Sequence, residues 1–220
     1  MRTLEMGLFS LAFLSIALLA RHSVAQPLAL LSDERHTAVS VCQTFSTCEA
    51  TEETPASPFA DFDSWLAPLG TSSEPFARQN TWTNEFGMGG SLSARSLGGS
   101  VVGGARSKFD VTFRANSNAT YTLDSNGNST PGYGNATLSL RDETTNQGIF
   151  GQSFGYGAIH TGNLIAGHLY SLDIDVSGPV GMDFGGGNWS FAFMVVPEPS
   201  SGALLGLGLF GLACRRRRRR

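Results

Sequence analysis

The chain has 220 residues, with 15 basic and 18 acidic side chains and a formal net charge of −3. Residues 26–196 hold only 7 of the basic residues against 16 acidic ones, so this part of the chain has a net charge of −9. A nucleic-acid-binding surface needs clustered lysine and arginine, so this composition excludes nucleic acid as a partner and suits a solvated extracellular surface.

The N-terminus has the composition of a secretory signal. Arg2 precedes an uncharged apolar stretch from Met6 to Ala20, and Ser23-Val24-Ala25 places small residues at the two positions that signal peptidase inspects. We expect residues 1–25 to form a signal helix that enters the secretory translocon and is cleaved by signal peptidase after Ala25. An uncleaved N-terminal anchor is the alternative, although the apolar core is short for a membrane span.

Residues 26–58 mix Ser, Thr, Pro and acidic residues with little periodicity, which predicts a low-order linker. The pattern leaves open a first strand at Leu28 to Leu31. Cys42 and Cys48 lie in this exported segment, where an oxidising environment favours a disulfide between them. Their spacing matches no zinc motif, so we expect a structural bridge.

From residue 59 to residue 196 short alternating segments are separated by glycine and asparagine. Lys108 to Arg114 alternates apolar with polar residues, as a half-buried strand does. Asn126-Gly127 is a typical turn dipeptide, so we expect the strand that begins at Ala119 to end before it. Many short segments of this kind predict an all-β domain over 59–196, a β-sandwich of the jelly-roll-like type. Further strands are expected at 136–141, 148–154, 159–165, 168–176 and 189–196.

Gly151 to Gly155 has the G-x-S-x-G spacing of a serine hydrolase elbow, with Ser153 as its nucleophile. That elbow needs a helix after the serine, and no helical pattern follows. The triad histidine of that fold also comes last in the chain, whereas His160 and His168 precede Asp173. We therefore expect a glycine-flanked strand end, no catalytic residue and no enzymatic activity.

Two groups of acidic and amide residues bear on calcium binding. Asp124 to Asn128 offers oxygen ligands at alternate positions, but Gly127 stands at position 4, where an EF-hand loop has its glycine at position 6. Asp173 and Asp175 share a strand face and could join Asp183 at a calcium site, although solvated carboxylates are the commoner arrangement. The three histidines of the mature region, His36, His160 and His168, show no ligand spacing. The sequence therefore predicts no metal site and no cofactor.

Trp65, Trp82 and Trp189 have two interpretations. Flat indole faces bind pyranose rings, so the three could form a sugar-stacking platform, whereas tryptophan in a small sandwich more often belongs to the core. We favour the core. The asparagines of four glycosylation sequons are expected at turns and strand edges: Asn118, Asn128, Asn135 and Asn188.

The C-terminus joins a stiff spacer to an apolar run and a basic block. Pro197 and Pro199 fix their φ angles and lack backbone donors, so this spacer separates the domain from the tail. Residues 200–214 are 15 residues without a charge, about 22 Å as a helix against about 30 Å of hydrocarbon, which predicts a marginal transmembrane helix. The positive-inside rule keeps the terminal arginines in the cytoplasm. They are Arg215, Arg216, Arg217, Arg218, Arg219 and Arg220.

Val196-Pro197-Glu198-Pro199, a Gly/Leu-rich apolar segment and a terminal arginine cluster, in this order, resemble the PEP-CTERM protein-sorting domain, here over residues 195–220. The resemblance implies handling by an exosortase, a membrane-embedded cysteine transpeptidase of bacteria that build exopolysaccharide. It also implies a membrane-inserted precursor, removal of the tail near Pro-Glu-Pro, and a mature form at the cell surface or outside the cell. An ordinary C-terminal membrane anchor is the alternative.

These features together predict an exported, non-enzymatic protein of the cell surface or extracellular matrix that is an exosortase substrate. The alternative function is a carbohydrate-binding, lectin-like module that acts on exopolysaccharide.

Overall fold

The computed structural model describes residues 26–44, 47–67, 75–96, 102–129, 135–153, 157–178 and 185–198. These ranges contain thirteen β-strands and no helix, and hence no helix long and apolar enough to cross a membrane. The signal helix predicted over 1–25 and the transmembrane helix predicted over 200–214 lie outside the described residues.

The strands follow one another in chain order as β1 (Leu28–Asp33), β2 (His36–Thr44), β3 (Thr47–Glu53), β4 (Phe62–Leu66), β5 (Phe76–Asn84), β6 (Gly87–Arg95), β7 (Val102–Ala115), β8 (Ala119–Ser129), β9 (Asn135–Asp142), β10 (Gln147–Ser153), β11 (Ala158–Leu164), β12 (Leu169–Gly178) and β13 (Gly186–Pro197). Sheet A has the order β10-β9-β12-β7-β2-β3, with β1 also paired to β7, and sheet B has the order β11-β8-β13-β6-β5-β4. All pairs are antiparallel. The all-β sandwich predicted from the sequence is confirmed.

Aromatic rings fill much of the space between the two sheets. Phe109 of sheet A meets Phe191 of sheet B edge to face, with 4.8 Å between ring centroids. Phe193 packs against Phe113 and Tyr121, with centroid separations of 5.4 Å to each. These rings project from alternate positions of their strands, as the period of two in a half-buried strand requires.

Polar side chains occupy another part of the interior, where Arg35 is the largest. Its side chain is fully buried and pairs with the buried carboxylate of Asp33, with 2.7 Å from Nη2 to Oδ2. Nη2 also donates to the Ala60 carbonyl at 2.6 Å, and Nη1 donates to the Thr81 hydroxyl at 3.2 Å. The guanidinium therefore connects the junction of β1 and β2 in sheet A to sheet B.

Further buried hydrogen bonds join the sheets beside Arg35. The hydroxyls of Thr37 in β2 and Ser64 in β4 lie 2.5 Å apart. Ser107 of β7 donates to the Arg78 carbonyl at 3.2 Å. With Gln79 oriented so that its amide nitrogen donates, it reaches the backbone carbonyls of β2 and β7 at 3.1 and 3.0 Å. We call these inward-facing residues the polar layer: Arg35, Thr37, Ser64, Gln79, Thr81 and Ser107.

Strands β1 to β3 fall within residues 26–58, so the prediction of a low-order linker there is wrong. β1 pairs with one half of the long strand β7, β2 pairs with the other half, and β3 adds outside β2. The alternative of a first strand at Leu28 to Leu31 is confirmed. In β2 the inward Thr37 is satisfied by a hydrogen bond, and in β3 the side chains from Glu49 to Glu53 are exposed, so these two strands have little apolar periodicity in the sequence.

The turn predicted at Asn126-Gly127 is also wrong, because β8 continues through it to Ser129. Gly127 pairs with Trp189 of β13. A Cβ atom on Gly127 would lie only 2.3 Å from Cε3 of that indole. The glycine therefore admits the buried tryptophan ring instead of making a turn.

Cys42 and Cys48 are opposite one another in the β2–β3 pair. Their side chains lie outside the described residues, so the disulfide stays a prediction.

Replacing Arg35 by Met should lower the free energy of unfolding by about 3 kcal/mol, because the Asp33 carboxylate would stay buried without its cation. Urea unfolding of the intact chain, followed by tryptophan fluorescence, measures this loss. Arg114→Met changes an exposed arginine of β7 and should alter the free energy by less than about 0.5 kcal/mol. Equal losses in the two variants would contradict a structural role for the buried pair.

Candidate functional site

The predicted sorting signal begins inside the last strand of the sandwich. The Val195 amide donates to the Phe86 carbonyl at 2.9 Å, and Val196 and Pro197 pair with β8. The Glu198 amide then donates to the Asn118 carbonyl at 3.1 Å. Backbone hydrogen bonding therefore holds the chain as far as Glu198. The other predicted sorting residues, Pro199 and Arg215 to Arg220, lie outside the described residues, as does the signal-peptidase site at Ala25.

The tryptophans do not lie together. Trp189 is 1% exposed and lies in the core, as predicted. Trp65 is 57% exposed on the outer face of sheet B, so the prediction of a core position is wrong for this residue. Trp82 is half-buried on the same outer face, where its ring covers Gly89.

A shallow depression of ≈ 380 Å³ lies on the outer face of sheet B. Asparagine and serine side chains from three neighbouring strands border it: Ser91, Ser93, Asn126, Asn128, Asn188 and Ser190. Two of the predicted sequon asparagines, Asn128 and Asn188, are cross-strand partners here.

The carboxylates that the sequence suggested for calcium face out from sheet A among basic side chains. Asp175 pairs with Arg106 at 2.5 Å, and Lys108 lies 2.9 Å from Asp110 and 3.9 Å from Asp173. Asp183 lies outside the described residues. No group of three or more His, Cys, Asp or Glu side chains in the described part of the chain could hold a metal ion. The arrangement of Asp173 and Asp175 is therefore that of an ion-pair network.

Asp173 is the most strongly perturbed carboxyl of this network. Burial, and then the charge of Asp110 directly opposite on β7, raise the pKa of Asp173 to about 6 from an ordinary value of 3.8. The nearby Lys108 opposes this shift but does not cancel it. The folded protein therefore holds a proton on Asp173 more tightly than the unfolded chain does.

The histidines occupy separate places and take up structural contacts. His160 lies 2.9 Å from the buried Tyr121 hydroxyl, and burial raises the pKa of Tyr121 to about 12. His168 lies 2.8 Å from the Asp142 carboxylate, which also accepts from the Thr144 amide at 2.9 Å. Burial acts to raise the pKa of Asp142, but the hydrogen bonds, led by His168, hold it below its ordinary value. Sequence reasoning missed this pair, because only the folded chain brings these residues together.

Ser153 is exposed at the end of β10, an edge strand of sheet A, opposite Thr137. The next described element is another strand, β11, which begins at Ala158. A hydrolase elbow places its serine between a strand and a helix. The position of Ser153 is therefore that of a strand end, as the sequence predicted.

Residues 195–219 match the PEP-CTERM protein-sorting motif, so the chain carries this motif. No curated protein matches the chain significantly. The motif indicates an exported protein that is targeted to an exosortase for sorting to the cell surface. The resemblance predicted from the tail residues is confirmed.

Asp173→Asn should raise the free energy of unfolding at pH 7 by about 1 kcal/mol, after allowance for solvent screening of this partly exposed group. Its raised pKa means that the wild-type protein gains stability as the pH falls from 7 through about 6. The advantage of the variant should therefore shrink towards pH 4. Urea unfolding at pH 7, 5.5 and 4 measures this trend, with Asp61→Asn as the exposed control. A gain in stability that is independent of pH would contradict the raised pKa of Asp173.

Proposed function

We propose that this chain is a non-enzymatic protein of the cell surface or extracellular matrix, which an exosortase processes through its C-terminal motif. The sandwich is the displayed part. Residues 1–25 direct the precursor into the secretory translocon, and residues 200–214 hold it in the membrane with the arginines inside the cell. The observation that carries this proposal is the PEP-CTERM motif at residues 195–219, which begins within β13 at the end of the folded domain.

The overlap between the motif and β13 supports display of an intact domain. Val195 is 4% exposed and completes the inward side of the strand, while Val196 is 67% exposed. Pro197 is the last residue of β13, and the Glu198 amide is still hydrogen-bonded to Asn118. A cut beyond Glu198 leaves every described strand complete, whereas a cut before Val196 removes part of the pairing between β13 and β8.

The absence of enzymatic activity is part of the proposal. The place of Ser153 at a strand end, and the use of His160 and His168 in contacts with Tyr121 and Asp142, support it.

Removing Arg215 to Arg220 should let the unprocessed precursor pass through the membrane with the rest of its tail attached, whereas changing Pro197, Glu198 and Pro199 to Ala should block processing and keep the precursor in the membrane. The reason is that the first change removes the charges that stop translocation and the second removes the proposed recognition segment. Intact mass and cell fractionation measure the outcome, and Pro58→Ala, in an exposed position, is the matched control. An unchanged mature mass and location in both tail variants would sink the sorting proposal.

The mature C-terminus should lie at or beyond Glu198, because earlier cleavage would unpair the end of a central strand. Intact mass spectrometry of the native extracellular protein locates that residue. A mature chain that ends before Val196 is the contrary result.

A further inference from the structure

One row of side chains crosses the outer face of sheet B from edge to interior. Cross-strand pairing places Trp65 of β4 beside Arg78 of β5, then Ser93 of β6, Asn188 of β13 and Asn128 of β8. With neighbouring strands about 4.8 Å apart, this row is about 19 Å long. We call it the Trp65 row.

The indole at the edge of the row is exposed but held in place. Trp65 is 57% exposed, and its ring stacks on Phe76 with 5.2 Å between centroids and 11° between planes. The Arg78 guanidinium lies 5.7 Å from the ring centroid. An aromatic ring that is fixed by its neighbours offers contact area at a small cost in side-chain entropy.

The interior part of the row borders the ≈ 380 Å³ depression. In the described structure, the side-chain amides of Asn126, Asn128 and Asn188 make no hydrogen bond to the protein. Each amide offers both donors and acceptors, as sugar hydroxyls do. The surface therefore provides hydrogen-bonding groups of both kinds next to an exposed ring.

The charges of sheet B identify the ligand further. In its six strands the acidic residues Asp63 and Asp124 balance the basic residues Arg78 and Arg95. By contrast, the outer face of sheet A carries the ion-pair network of Asp110, Asp173 and Asp175 with Arg106 and Lys108. A face with no net charge and many amides and hydroxyls fits a neutral, hydroxyl-rich chain better than a polyanion.

We propose that the outer face of sheet B binds a neutral polysaccharide. Trp65 stacks against the apolar face of one pyranose ring, and the asparagine and serine side chains around the depression hydrogen-bond to hydroxyls farther along the chain. This site goes beyond the proposed display function. Polysaccharide binding is measured with purified protein. A failure to bind polysaccharide and a failure of sorting are therefore separate results.

Affinity electrophoresis and titration calorimetry of the full-length chain in detergent test the site. The probes are dextran, a soluble β-glucan and galactomannan as neutral polysaccharides, and polygalacturonate as an acidic one.

At least one neutral probe should bind, and Trp65→Ala should weaken its binding at least tenfold. Asn188→Ala should weaken it about threefold to tenfold without removing the aromatic ring. Ile165→Ala is the control, since it shortens a 52% exposed apolar residue outside the face. Circular dichroism checks that each variant is folded.

Three results would overturn the proposal. One is that no neutral polysaccharide binds the wild-type protein. Another is binding that persists unchanged in both Trp65→Ala and Asn188→Ala. The third is a preference for polygalacturonate that is lost in Arg78→Ala, which would identify an anion-binding surface instead.

Discussion

Arg35 brings a full positive charge into the space between the two sheets. The position of β1 and β2 against sheet B depends on the groups that pair with this charge. Its partner Asp33 is on the same segment, while Ala60 and Thr81 approach it from the other side of the sandwich. Leaving either charge unpaired would cost several kcal/mol. The segment with β1 and β2 is therefore held against sheet B by the hydrogen bonds of Arg35 as well as by the burial of apolar side chains. The polar layer extends this constraint, because each of its groups needs a partner on the facing sheet.

The sequence predicted the parts of the fold whose inward side chains are apolar. Strands such as β7 and β12 were found because apolar residues recur at every second position. Strands β2 and β3 were not predicted, because Thr37 of β2 is buried through a hydrogen bond to Ser64 and the side chains of β3 from Glu49 to Glu53 are polar or small and exposed. Gly127 was misread for a related reason, since a glycine that makes room for Trp189 looks in sequence like one that makes a turn.

The candidate sites were predictable to different degrees. The sorting signal is local in sequence, so its residues could be named from their order alone. The exposed ring of Trp65 could not, because tryptophan content does not say which face of a strand is covered. The amides of Asn128 and Asn188 are 60 positions apart in the chain and become neighbours only through the pairing of β8 with β13. A site whose residues come from different strands can be predicted only when the register of those strands is known, and composition does not give the register.

The position of β13 in its sheet has a consequence for how the protein is made. β13 is the last of the described strands, yet it lies in the middle of sheet B and separates the strands β11 and β8 from the strands β6, β5 and β4. In the part of the chain that the structure describes, these two groups pair only through β13, so sheet B is completed after β13 has been exported. Among the described strands, sheet A contains none later than β12, so it can assemble earlier than sheet B. Under the proposed retention of the precursor by its tail, β13 stays next to β8 and β6 until the tail is removed, which would link completion of the fold to the timing of release.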